Sequence, residues 1–234
     1  MGLLAACEPI GVEEQREAEP GPRSQPGTEM GLYTPEQHPA YDGRFVVSGA
    51  RVFQAWSLDD ASPWDHMGDA ADNVHAVGGR VDIDVNEIDN SGSFRAELEL
   101  PQGSYVMELE EFVEFSPCHD GGIAAYLFEH GDAGCGDANW PKSVLFVAGW
   151  GLGSATLNGE TLYEDYQIHF MVTQGMRDRE SLRVLGTTGA TGAGAVNPAA
   201  VQLDFYIRSP EPNESNHPTR EVFDHFFAMD VIWR

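Results

Sequence analysis

The stretch Val81-Asp82-Ile83-Asp84-Val85-Asn86-Glu87-Ile88-Asp89-Asn90-Ser91-Gly92-Ser93-Phe94-Arg95-Ala96-Glu97-Leu98-Glu99-Leu100 decides the fold class. Val81, Ile83 and Val85 alternate with Asp82, Asp84 and Asn86. Phe94, Ala96, Leu98 and Leu100 alternate with Arg95, Glu97 and Glu99. Successive side chains of an extended chain point to opposite faces, so each half reads as a strand with one apolar and one wet face. Asn90-Ser91-Gly92 is a turn signal between them, and the two strands make a hairpin.

The same texture continues on both sides. Upstream, Phe45, Val46, Val47, Val52 and Phe53 form a β-prone run broken by Ser48-Gly49, and residues 57–75 read as a turn-rich loop. Downstream, Pro101-Gln102-Gly103 turns the chain into an extended run from Tyr105 to Phe115. Residues 123–128 and 144–150 are apolar runs of strand length. Asn158-Gly159 separates Ala155-Thr156-Leu157 from Thr161-Leu162-Tyr163. Asn-Gly tolerates positive φ at both turn positions and is the strongest hairpin signal in the chain. Residues 166–173, 201–208 and 226–233 complete the strands, and the Gly/Ala/Thr-rich residues 186–199 read as a loop. Residues 219–229 also fit a helix, with Val222, His225, Phe226 and Met229 on one face. No other segment carries a helical stripe. Many short strands with turns between them predict an all-β domain over residues 43–234. An antiparallel β-sandwich of jelly-roll or immunoglobulin-like kind, or a small barrel, satisfies this pattern.

Charge narrows the function classes. The chain has 234 residues, with 38 acidic against 13 basic and a formal net charge of −25. Such a field repels phosphate backbones, which excludes nucleic acid as a partner, and it disfavours electrostatic docking on anionic lipid. No stretch approaches the ~20 apolar residues of a membrane-spanning helix.

Residues 8–40 are rich in Glu, Pro, Gly and Ser and lack apolar periodicity, the composition of a flexible tether. They follow Leu4-Ala5-Ala6-Cys7. This tetrapeptide resembles the lipobox of bacterial lipoproteins: an aliphatic residue, two small ones, then cysteine. The resemblance covers these four residues alone. It implies cleavage before Cys7, a signal-peptide remnant at 1–6 and acyl chains such as palmitate on Cys7. It further implies a tether at 7–42 and a cell-envelope location, with Glu8 compatible with the outer membrane. Only six residues precede Cys7 and none is basic, whereas the family carries a basic and an apolar stretch there. In-frame codons upstream of Met1 are expected to supply them.

Cys118 and Cys135 complete the chain's three cysteines. In an exported lipoprotein with Cys7 acylated, these two form the natural disulfide, and closing that loop stabilises by roughly 3 kcal/mol. A metal site with His119 and His130 is the alternative use of the same residues.

Three further constellations bear on chemistry. Residues 82–93 resemble an EF-hand calcium loop. They fail it twice, with Glu87 where glycine is needed and Ser93 where a bidentate glutamate is needed. His169 and Met171 share one face of a strand, and His225 and Met229 repeat the pairing. His and Met in an exported compartment suit copper, while core packing, with Met filling gaps and His bonded to a backbone carbonyl, is the preferred account. Glu110-Glu111 and Glu164-Asp165 are carboxylate pairs of the kind glycosidases use, and Trp56, Trp64, Trp140 and Trp150 could stack on sugars. No nucleophile elbow, zincin helix or phosphate loop is present. Asn213-Glu214-Ser215 is a glycosylation sequon, uninformative in a bacterial chain. The sequence therefore points to a lipid-anchored, non-enzymatic module binding a protein, glycan or small ligand. A periplasmic copper-binding protein and a carbohydrate-active hydrolase are the alternatives.

Overall fold

A computed structural model describes residues 42–56, 74–113, 122–133, 140–185, 196–209 and 222–233. Cys7, Cys118, Cys135, His119, Trp64 and the tether up to residue 41 lie outside the described residues, and so do the lipidation and disulfide expectations. Among the described residues no helix is long and apolar enough to cross a membrane.

Nine strands account for nearly all of it: β1 (Arg44–Trp56), β2 (His75–Asn86), β3 (Ser91–Leu100), β4 (Gly103–Phe112), β5 (Ile123–Glu129), β6 (Ser143–Leu157), β7 (Glu160–Gly175), β8 (Asn197–Arg208) and β9 (Phe223–Trp233). The order is β4-β3-β2-β1-β9-β8-β7-β6-β5, and β4 also pairs with β6. That pairing closes an antiparallel eight-stranded barrel, with β5 as an extra strand. Of the expected forms the chain therefore takes the small barrel: one sheet meets its own far edge instead of stacking on a second sheet. The helical option for 219–229 is also overturned. Phe223–Trp233 is strand, because its ladder with β1 and β8 buries both faces.

The quoted hairpin sits in the barrel wall as β2–β3, with Ile83 opposite Phe94 and Val81 opposite Ala96. Asn158 and Gly159 form the β6–β7 hairpin tip with φ of 54° and 82°. Several boundaries differ from the sequence reading: residues 161–163 and 166–173 lie in one strand, β7, and β8 begins at Asn197, inside the stretch read as a loop. Residues 144–150 and 155–157 belong to a single strand, β6, which runs through Gly149, Gly151 and Gly153. A Cβ at Gly149 would overlap the Phe170 ring, and one at Gly151 or Gly153 would overlap the carbonyl oxygen of Glu111 or Glu108. Gly151 and Gly153 let β4 approach β6 closely enough to close the barrel, while Gly149 makes room for the Phe170 ring.

β6 divides its flank between two partners. Its first half pairs with β5, from Ser143↔Glu129 to Gly149↔Ile123, and its second half with β4, from Gly151↔Phe112 to Leu157↔Tyr105. Side chains bridge the other edge of β5. Asn90 Oδ1 accepts from the backbone N–H of Gly122 (2.8 Å) and Ile123 (3.0 Å), and Glu87 Oε1 accepts from that of Ala125 (3.1 Å). An acceptor side chain there blocks another strand from pairing.

Inward-facing residues fill the barrel. Phe94 stacks on Phe170 at 5.3 Å and tilts against Phe205 at 5.7 Å; Phe226 lies 5.4 Å from Phe205 and 5.8 Å from Tyr105. Eight strands enclose a space that such rings can occupy. Each buried phenylalanine contributes on the order of 2–3 kcal/mol.

Candidate functional site

The outward faces of the strands divide into two walls. On β2, β3 and β4 they are wet and charged: Arg44–Asp84 (2.7 Å), Arg80–Asp82 (3.1 Å), Arg80–Glu97 (3.3 Å), Arg95–Glu97 (3.0 Å) and Arg95–Glu108 form a ladder of ion pairs. On β5, the first half of β6, the second halves of β7 and β8 and the first half of β9, most outward positions are buried. Trp140 and the segment from Met176 to Val184 lie over Ala124, Leu145, Ala148, Trp150 and Met171, and Leu182 lies over Phe53, Phe227 and Met229. This segment folds back through an Arg177↔Val184 bridge, with Asp178 Oδ1 accepting from the Ser181 N–H at 2.7 Å.

The second wall is apolar at its margins and polar at its centre. Antiparallel register lines up Ala148, Met171, Asp204 and Phe227 in one row and Trp150, His169, Tyr206 and His225 in the next. Asp204, 1 % exposed, accepts from Gln202 Nε2 at 2.6 Å. Its Oδ1 lies 3.4 Å from His225 Nε2 and 3.7 Å from Arg177 Nη2. The Arg177 guanidinium rests 3.9 Å from the centre of the Phe227 ring and 5.3 Å from that of Trp140. Cation–π attraction and the carboxylate together hold this buried cation in place.

Glu129 ends β5 opposite Ser143 and is 6 % exposed. Its Oε2 has no hydrogen-bond partner among the described residues. Burial, and then the charge of Asp204, push its carboxyl up to about 7. Burial likewise raises the Tyr206 hydroxyl, with Arg208 opposing and Glu129 adding to the shift.

The residues expected from sequence fall as follows. His169 and Met171 lie on β7, His225 and Met229 on β9, and β8 runs between them. Two strand spacings separate the pairs by about 10 Å. His169 bonds through Nδ1 to the Gly149 carbonyl at 2.9 Å and stacks on Trp150 at 4.4 Å. Met171 Sδ meets His130 Nε2 at 3.4 Å, while His225 faces Asp204. Met229 packs with Phe53 and Phe227. Among the described residues no three His, Cys, Asp or Glu side chains are placed to hold a metal. The EF-hand-like segment is hairpin, with Asp84 paired to Arg44. Glu110, Glu111, Glu164 and Asp165 are exposed, and Ser154 Oγ donates to Glu110 at 2.6 Å. Trp140 and Trp150, expected as exposed sugar platforms, are 4 % and 7 % exposed. They pack the covered wall instead, because it is buried on both faces.

Sequence reasoning missed Glu129, Arg177, Gln202 and Asp204. The one signal was a charged residue at or within an apolar run, as in Val201-Gln202-Leu203-Asp204-Phe205. On a wet-faced strand that pattern means nothing. The chain matches no protein-family model, no curated protein and no solved structure.

Proposed function

We propose that this protein is a lipid-anchored module of the bacterial cell envelope, held through Cys7, which binds its ligand on the covered wall of β5–β9. One observation carries the choice of wall. Gln202, Asp204, Arg177, His225 and Glu129 are buried together on the outside of a barrel whose interior is already packed. A buried polar network is a poor way to stabilise a fold, since apolar residues of similar volume do as well or better. Where a chain keeps one, a function is the economical reason for it. The lipobox-like tetrapeptide supports the anchor, and the net charge of −25 keeps the module from adhering to anionic surfaces.

The anchor is tested by expressing the full precursor with Cys7→Ala. The variant should leave the membrane fraction, and a variant that stays membrane-bound removes acylation as the anchor. The wall is tested by screening glycans, peptides and small molecules against the wild type and Trp140→Ala. A ligand whose affinity is the same for both binds elsewhere. The raised carboxyl of Glu129 beside Asp204 also fits the acid/base pattern of a hydrolase. Turnover of a glycan, abolished in Glu129→Gln, would select that reading over binding.

A further inference from the structure

Two carboxylates lie under one cover, and their surroundings are unequal. Asp204 has an amide donor from Gln202 at 2.6 Å and the cationic Arg177 and the His225 ring within 3.7 Å. Glu129 has none of these at Oε2. Among the described residues, the neighbouring groups are engaged elsewhere. On β5 itself, His130 turns to the Met171 sulfur. On the approach to β6, Lys142 reaches Asp132 at 3.4 Å and the Phe128 ring, and Ser143 Oγ donates to the Met176 sulfur. On β7, His169 bonds to the Gly149 carbonyl. On β8, Tyr206 is a neutral phenol and Asp204 a second negative charge; on β9, His225 faces Asp204. An ionised carboxylate with no donor, in a dry site beside another carboxylate, is a state proteins avoid by keeping the proton.

We propose that Glu129 is a buried proton-binding site that locks the cover of the β5–β9 wall, and that loss of its proton releases Trp140 and the Met176–Val184 segment. In the closed wall the proton neutralises one of two neighbouring carboxylates, of which only Asp204 meets the Arg177 guanidinium. When the proton leaves, the second charge is stabilised only by admitting water, and water enters by lifting the cover. The envelope-facing module would thus expose its wall at neutral to alkaline pH and close it in acid. The proton acts on the wall proposed above for binding, but the test reads the wall alone, so its failure leaves the binding reading untouched.

Hydrogen exchange of the backbone amides in residues 176–185, corrected for the intrinsic pH dependence of exchange, is compared between the wild type and Glu129→Gln. The carboxyl is held near 7 when closed and returns to its ordinary 4.5 when open. Opening in the wild type should therefore rise roughly 30-fold between pH 5.5 and 8. Glu129→Gln should stay closed and flat across that range. A wild type as flat as the variant overturns the proposal, as does a variant that keeps the wild-type slope. If Glu129→Gln does not fold, a carbon-13 titration of the wild-type glutamate side chains decides. A Glu129 resonance titrating in the ordinary carboxylate range overturns the proposal, and one titrating near neutrality supports it.

Discussion

On β2, β3 and β4 most outward positions carry a charge or a hydroxyl into water, while on β6 to β9 Trp150, His169, Met171, Asp204, His225 and Phe227 are held out of it and Tyr206 is half-buried. The two walls share one scaffold and the same inward packing. Ions on the first wall exchange water for one another at little gain, because each partner stays solvated. Ions on the second have lost their water, so each depends on its partner. The same residue type therefore means different things on the two walls. Asp84 paired to Arg44 is surface chemistry, and Asp204 facing Arg177 and His225 is part of the architecture.

The largest test of this contrast is to delete one carboxylate from each wall. Asp204→Ala leaves Arg177 buried without its counter-charge and should lower unfolding free energy by about 3–5 kcal/mol in urea denaturation. Asp84→Ala should leave the midpoint within error. Equal losses would mean that the covered wall is not dry.

The pH response comes next, and the walls should answer with opposite signs. Glu129 has a folded value of about 7 against an ordinary 4.5. Below 4.5 it is protonated in both states. Between the two values the folded chain keeps a proton that the unfolded chain has lost, so stability falls as pH rises. The fall is complete above 7 and amounts to about 3 kcal/mol. Asp84 and Glu97 behave inversely. Hydrogen bonds from Arg44 and Arg95 hold their carboxyls below the ordinary range. Their contribution is present at neutral pH and is lost in acid, as pH falls through the lowered values. Thermal melts from pH 3 to 9 should show a maximum on the acid side of neutrality, and Glu129→Gln should remove the alkaline limb alone.

A smaller effect is expected where the walls meet. Asn90→Ala takes the acceptor from the amides of Gly122 and Ile123 at the start of β5 and should lower stability by about 1–2 kcal/mol. The bared edge should also promote association at high concentration, measured by sedimentation; a monodisperse variant would show that this side chain does not protect the edge. Smallest is salt. Half-molar sodium chloride screens the exposed ladder and should leave the stability loss of Asp204→Ala unchanged, since buried pairs are screened little.

Much of this architecture is legible in the residues alone. Alternation at Val81–Val85 and Phe94–Leu100 fixes two strands and their inward faces. Asn158-Gly159 fixes a hairpin, because few other dipeptides accept two positive φ values. These are local rules, and period two or a turn's dihedrals need no knowledge of distant chain. Closure of the sheet is not local. It rests on Gly151 and Gly153, which read as a break between two short strands until β4 is seen pressed against them. The second wall is not local either. Whether the face carrying His169, Asp204 and His225 meets water or a cover depends on residues 140 and 176–184, which reach it only through the folded barrel. Trp140 and Trp150 show the same dependence, as surface platforms by composition and wall packing by position. The sequence by itself determined the strand class, the turn at 158–159 and the sign of the surface field. The tertiary structure decided that the sheet closes and that Glu129 and Asp204 share one dry wall. The physical reason is that desolvation is a property of what covers a side chain, and the covering residues lie far away along the chain.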